Sequence, residues 1–335
     1  MTDTKQNDTL LELKDYSITF KTPDGNVKAV SGMNLTVKRG ERIAIVGESG
    51  SGKSQTFLGL MGLLAKNGQT SGQALLEGRD VLKLKPRELD HVRGKDMAMV
   101  FQDPMTALNP SLKISRQLTE QLEIHRGFTA RAASVEALDM LKRVGIPDPD
   151  RRFNLYPHEL SGGMRQRIVI AMALLTKPKL LIADEPTTAL DVTIQAQILD
   201  LFNDLTAEMN TALLMITHDL GVVAGLADRV AVMYAGRIVE EAPVDELFEN
   251  PAHPYTAALH AAIPRPDQDV DELVVIPGRP PNLQHLPKGC NFSPRCAKAE
   301  DDCIDRPPQL EMLAPQHCAA CFHPFPRLEE LLTHA

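Results

Sequence analysis

The pattern G-x-x-x-x-G-K-[ST] is met without mismatch by Gly47-Glu48-Ser49-Gly50-Ser51-Gly52-Lys53-Ser54. The chemistry of such a stretch is to hold the phosphates of a nucleotide. Its glycines let backbone N–H groups turn inward around phosphate oxygens, and a helix that starts behind it adds its positive dipole end. Lys53 brings a cation to the β- and γ-phosphates, and Ser54 a hydroxyl to Mg²⁺. Asp184-Glu185 closes an apolar run. The first carboxylate there can reach Mg²⁺, and the second can polarise a water aimed at the γ-phosphate. Gln102 and His218 also end apolar runs. Gln102 can serve Mg²⁺ or a water, and His218 can bond the γ-phosphate. Alone, these are a solvated turn, a loop amide and a structural histidine; beside a full phosphate loop the catalytic reading gains weight. Ser161-Gly162-Gly163 is a second glycine-rich helix start, offering N–H groups and a hydroxyl to anionic oxygen, or acting as a plain N-cap. The first loop already fills the nucleotide's own-chain side. The second therefore fits a nucleotide held by another chain.

To act together these residues need strands that end at one edge. Residues 42–46 read as a buried strand before the loop, and 55–64 as a helix after it despite two glycines. Residues 97–101, 180–185 and 212–219 are further apolar strands ending in polar residues. Strands alternating with helices imply an α/β fold with a largely parallel sheet and the site at the strands' carboxyl ends. Earlier, residues 10–20 alternate like a strand, 22–26 read as a hairpin turn, and 27–37 as the return strand and another. Residues 68–82 read as further strands with turns at Gly72 and Gly78, and 86–93 as a short polar helix. Between about 103 and 160 the pattern is helical, with helices expected at 114–125 and 131–144. Helices are also expected from about 160 to 175 and over 193–208, and a hairpin about Ala235-Gly236. Residues 1–9 read as a disordered tail. Past about Pro264 prolines concentrate and all five cysteines fall, so 265–335 reads as an appended small domain too poor in apolar residues to bury much core unaided.

The chain has 335 residues, 43% hydrophobic and 24% charged, which is ordinary for a soluble globular protein. Net charge is −8 and aromatics are 4%, so neither a basic groove nor base-stacking platforms are expected. No run reaches about 18 apolar residues, so none is expected to span a bilayer. The polar N-terminus shows no apolar signal core, which points to the cytosol and to metal or free thiol, not disulfide, for the cysteines.

Taken together, these motifs resemble those of ATP-binding-cassette ATPases. Gly47 to Ser54 is similar to their Walker A, Gln102 to the Q-loop, and Leu180 to Glu185 to Walker B with its following glutamate. Leu160 to Gln166 resembles the signature, Thr188-Ala189-Leu190-Asp191 the D-loop with Thr188 in place of the usual serine, and His218 the switch histidine. Phe20 stands in the usual place of the aromatic that stacks on adenine, with Tyr16 a nearby rival. The resemblance covers about residues 10–264. It implies a P-loop core with an antiparallel β subdomain and a helical insert, ATP hydrolysis with Mg²⁺ held through Ser54, Gln102 and Asp184, and Glu185, His218 and Gln102 as catalytic residues. It also implies two nucleotides sandwiched between two cassettes, with Ser161, Gly162, Gly163 and Gln166 facing the partner's ATP and Asp191 in the D-loop.

Residues 102–110, 253–255 and 276–283 narrow the resemblance to the D-type ATP-binding subunits of oligopeptide and dipeptide importers. That implies an F-type second ATPase, two membrane permeases, an extracytoplasmic peptide-binding protein, and peripheral residence on the cytoplasmic face of the inner membrane. Nickel or glutathione importers use similar subunits. A soluble cassette ATPase of repair or translation, acting on nucleic acid, is disfavoured by acidic charge and few aromatics; a cassette that binds without hydrolysis is disfavoured by Glu185 and His218.

The cysteines admit bare thiols, zinc or an iron–sulfur cluster. Zinc favours close pairs, and only Cys318 and Cys321 supply one; an iron–sulfur cluster takes four thiolates at wider spacing. The importer resemblance implies a [4Fe–4S] cluster on Cys290, Cys296, Cys303 and Cys321, with Cys318 the spare. Such a cluster would staple a Pro-rich tail. No tail residue belongs to the nucleotide motifs, so loss of the tail's metal is expected to leave the nucleotide site formed.

Overall fold

The computed structural model describes residues 8–188, 191–263 and 275–326. The expected disorder of the N-terminal tail, through residue 7, and D-loop residues 189 and 190 lie outside them. The chain divides into two units. One holds Met1–Leu10, Val37–Glu41 and Lys83–Met215; the other holds Leu11–Thr36, Arg42–Leu82 and Ile216–Ala335.

In the first unit Met97–Val100 lies parallel to Leu180–Asp184, in register from Met97↔Leu180 to Val100↔Ala183. The strand Ala212–Thr217 comes next to Leu180–Asp184 in the sheet. All five residues of Leu180–Asp184 are buried, which is why it reads as a continuous apolar run and not an alternating one. The helical insert forms as expected, with Ile114–Arg126 ended by Gly127 at φ 66 and Ala130–Arg143 capped by Thr129. Buried Gln117 ties the loop before them, donating to the carbonyls of Asn109 and Leu112 and accepting from Asn109 N–H.

In the second unit Arg42–Val46 lies parallel to Arg229–Tyr234, which turns back antiparallel into Arg237–Pro243. An antiparallel sheet pairs Thr9–Thr22 with Gly68–Leu76 as well as with Gly25–Lys38, whose turn falls where expected. The return strand is single, not two. Gly72 marks no turn: it sits inside Gly68–Leu76 beside a register shift, and a Cβ there would lie 2.4 Å from the Asp15 carbonyl.

The cysteine-bearing tail is built onto this unit's sheet. His317–Ala319 pairs with Arg237–Pro243 through Glu240↔Ala319 and Glu241↔Cys318, and Glu311–Ala314 adds beyond it. Phe292 joins the core of Val46, Val230, Val232, Tyr234 and Tyr255. The poverty of apolar residues in the tail is met by borrowing a core already present.

Candidate functional site

The phosphate loop follows the buried strand Arg42–Val46. Two of its glycines are demanded by space. A Cβ on Gly47 would stand 2.1 Å from the Met233 carbonyl oxygen, and one on Gly52 would stand 2.2 Å from that of Ala29, with Gly52 at φ 100. The loop backbone is thus pressed against neighbouring backbone where a side chain would not fit. The helix Lys53–Leu60 starts directly behind it and stops four residues sooner than the sequence suggests, since Gly62 turns left-handed at φ 63. Gly59 inside it makes room for Tyr16, whose hydroxyl a Cβ would meet at 2.2 Å. That hydroxyl donates to the Thr56 carbonyl at 3.1 Å, and Tyr16 is fully buried. Tyr16 is therefore committed to packing, whereas Phe20 is half-buried.

Lys53 Nζ donates to the carbonyls of Gly47 at 2.6 Å and Glu48 at 3.0 Å, so the cation sits over its own loop. Glu48 is fastened at two further points. Its N–H donates to the Tyr255 hydroxyl at 2.9 Å, and its carboxylate receives both guanidinium ends of Arg295, at 2.6 and 3.0 Å. Arg295 belongs to the cysteine-bearing tail. The tail, though it carries no residue of the nucleotide motifs, thus holds a residue of the phosphate loop. No local pattern announces a pair 247 residues apart.

In the first unit Asp184 ends its strand buried. Glu185 takes the left-handed conformation at φ 45, a strain of about 1–3 kcal/mol for a residue with a Cβ. It is over-determined by its neighbours: its Oε2 accepts from Gln102 Nε2 at 3.1 Å and Thr188 Oγ1 at 3.0 Å. Two residues singled out separately in the sequence, Gln102 and Glu185, are thus brought together. The contribution of Thr188 was not legible there, because a hydroxyl three residues on is common in any turn. Asp191 caps Val192–Met209, its Oδ1 accepting from Ile194 N–H at 2.9 Å.

Ser161 caps Gly162–Leu174 through Met164 N–H at 3.4 Å, yet Ser161 and Gly162 remain exposed, and a Cβ on Gly162 would meet nothing within 4 Å. This start of a helix is open to an incoming group. Gln166 is not. It is 1% exposed and donates to the Pro186 carbonyl at 2.7 Å, tying the signature helix to the segment after Glu185. It therefore leaves the set of residues that can face a partner. In the second unit His218 is exposed just past Ala212–Thr217, where Thr217 and Asp219 side chains accept backbone N–H groups and fix the turn.

Cys290, Cys296, Cys303 and Cys321 line one small cavity, and Cys318 is not among its lining residues. Burial pushes the Cys321 thiol up to about 11, with the neighbouring cysteines adding to the shift, and raises Cys290 likewise. So closed a pocket favours thiol over thiolate unless a cation replaces the protons. Among the described residues, the group with the spacing of metal ligands is Asp302, Cys303 and His323, whose donor atoms lie within 4.8 Å of one another.

Comparison with known proteins agrees with this layout. The family described as ABC transporter matches residues 30–188, and that described as oligopeptide/dipeptide transporter, C-terminal region, matches residues 239–303. The oligopeptide transport ATP-binding protein OppD of Salmonella typhimurium is 54% identical over 96% of this chain and 95% of its own. The dipeptide transport ATP-binding protein DppD of Lactococcus lactis is 50% identical over 92% and 89%. Among solved structures, the dimeric, post-hydrolysis state of the ATP-binding cassette MJ0796 bound to ADP and Pi superposes with a TM-score of 0.63 at 29% identity, over 70% of this chain and 98% of that one.

Proposed function

This chain belongs to the ATP-binding subunits of ABC oligopeptide and dipeptide transporters, and from that premise we propose how its residues divide the work of hydrolysing ATP to drive peptide import. The loop Gly47 to Ser54, including Glu48, Ser49, Gly50 and Ser51, holds the phosphates, and Phe20 stacks on the adenine. Ser54, Gln102 and Asp184 hold Mg²⁺. Glu185 orients the attacking water and takes its proton, and His218 bonds the γ-phosphate. Ser161, Gly162 and Gly163 serve the nucleotide bound to a second cassette, with Asp191 near the junction. The observation that carries this reading is Glu185 itself: a strained carboxylate at the end of a buried strand, held by Gln102 and Thr188. Strain of that kind persists at sites where the position of a side chain matters.

The chain works with membrane permeases and dimerises. In the finer reading the second cassette is an F-type ATPase, the permeases are two, an extracytoplasmic protein delivers the peptide, and the chain resides on the cytoplasmic face of the inner membrane. Among the described residues no helix is long and apolar enough to cross a membrane, which suits attachment through permeases. The four cysteines of the small cavity suit a [4Fe–4S] cluster, which when bound would cross-link the tail; Cys290, Cys296, Cys303 and Cys321 would hold it and Cys318 would stay free. A zinc ion remains the second reading, favoured by the compact Asp302, Cys303, His323 group. Iron and acid-labile sulfide in near-equal amounts would support the cluster, and stoichiometric zinc without sulfide would overturn it.

The test of the hydrolytic assignment is Glu185→Gln in the assembled transporter. ATP should bind as in the parent, while phosphate release falls by about 10²–10⁴. Near-normal release, once the partner cassette's own turnover is subtracted, would remove Glu185 from its role.

A further inference from the structure

Arg295 stands one residue before Cys296, among the cysteines of the tail, and its guanidinium reaches Glu48 of the phosphate loop. Its guanidinium is fully spent. Nε donates to the Pro277 carbonyl at 2.8 Å. One terminal nitrogen donates to Glu48 Oε2 at 2.6 Å and the Tyr234 hydroxyl at 3.3 Å, the other to Glu48 Oε1 at 3.0 Å and the Ile276 carbonyl at 3.4 Å. The pair is shielded from solvent, with the Arg295 side chain 4% and the Glu48 side chain 25% exposed. The guanidinium also lies 5.8 Å from the Tyr234 ring centre and 5.9 Å from that of Phe292. A two-pronged, charge-assisted bond of this kind fixes both distance and orientation.

Glu48 directly follows Gly47, and its own carbonyl accepts from Lys53 while its N–H is held by Tyr255. A displacement of Arg295 therefore acts on the same residue that helps seat the loop's lysine. At its other end Arg295 is bonded to Cys296, which with Cys290 lines the cysteine cavity. A plain anchor for the tail could have used any surface of the sheet. This one uses the loop.

We propose that Arg295 is a positioning residue for the nucleotide site, which passes the folded state of the cysteine module to the phosphate loop through Glu48, so that an intact module is a condition of tight ATP binding. The proposal rests on the reading that residues 47–54 hold ATP. It makes the tail a regulator of the site and not only a structural appendage.

The experiment is equilibrium binding of a non-hydrolysable ATP analogue with Mg²⁺ to the full chain. Loss of binding on Lys53→Ala first establishes the loop reading; if that substitution changes nothing, the loop reading itself fails. Arg295→Ala should then raise Kd about threefold to thirtyfold, and Glu48→Gln should do the same. The double variant should be no weaker than the weaker single one, because one contact is lost in each case. Arg295→Lys should recover only part of the affinity, since an ammonium cannot make the fork. Cys303→Ser should weaken binding when Arg295 is present and add nothing when it is alanine. Parent-like affinity in a folded Arg295→Ala chain would overturn the proposal, as would additive effects of Arg295→Ala and Glu48→Gln. Should Arg295→Ala fail to fold, parent-like affinity in both Glu48→Gln and Arg295→Lys would overturn it equally.

Discussion

His253 is buried to 1% exposure, and its Nδ1 accepts the Tyr255 N–H at 3.0 Å, so that nitrogen carries no proton. Burial lowers its pKa from the ordinary 6.5 to about 4, against a smaller upward pull from Glu240. Between those two values the unfolded chain binds a proton that the folded chain refuses. Stability therefore falls as pH falls through that window, by about 1.4 kcal/mol per pH unit. His317 acts on the other side: its bond to buried Glu240 raises its pKa, so its contribution is fully present below 6.5 and is lost as pH rises through the folded value. Urea unfolding of the full chain at pH 4.5 to 6.5 should show the acid slope, and His253→Asn, which keeps an acceptor, should flatten it. An unchanged slope in that variant would mean another group carries the proton. At this scale the sequence is a good guide to residues whose chemistry is local. Gln102, Asp184 and Glu185 each end an apolar run and are found at strand ends. It is a poor guide to contacts with a distant partner: Arg295 and Tyr255 both meet Glu48, from 247 and 207 residues away.

Among the elements, the tail shows most plainly how a weak core is completed. Phe292 is 3% exposed, and its ring centre lies 5.2 Å from that of Tyr234 and 5.3 Å from that of Tyr255. Those two tyrosines belong to the sheet and the helix beside the phosphate loop, and Arg295 lies three residues further along. Phe292→Ala should destabilise the chain by about 3–5 kcal/mol and release the tail. Limited proteolysis should then cut within the tail at protease concentrations that spare the parent; equal protection would show that strand pairing through His317–Ala319 suffices alone. Most elements were legible because periodicity changes sharply between 3.6 and 2 along this chain. The exceptions have physical causes. The loop helix ends early at a left-handed glycine, Gly72 is a bulge where backbone approaches backbone, and Gly59 is a notch for Tyr16. Glycine marks all three in the sequence, but only packing says which use applies.

For the whole molecule, the motif set implies that one chain owns half of each of two nucleotide sites. Its described residues include a phosphate loop and an open, serine-capped helix start. The open face of Gly162 and the exposure of Ser161 support a group arriving from outside, which is how a second cassette's nucleotide would be met. The appended tail read as a separate domain in the sequence, since composition shifts past about Pro264; its docking on the core sheet was hidden, because edge pairing leaves little trace in a short strand such as His317–Ala319. The most direct measurement of the central claim follows Ser161→Arg by two readouts on one preparation: nucleotide affinity of the single chain, and ATP-driven association with the partner cassette. The account predicts parent-like affinity and lost association. Loss of ATP binding by the isolated chain would place Ser161 in the chain's own pocket and contradict it.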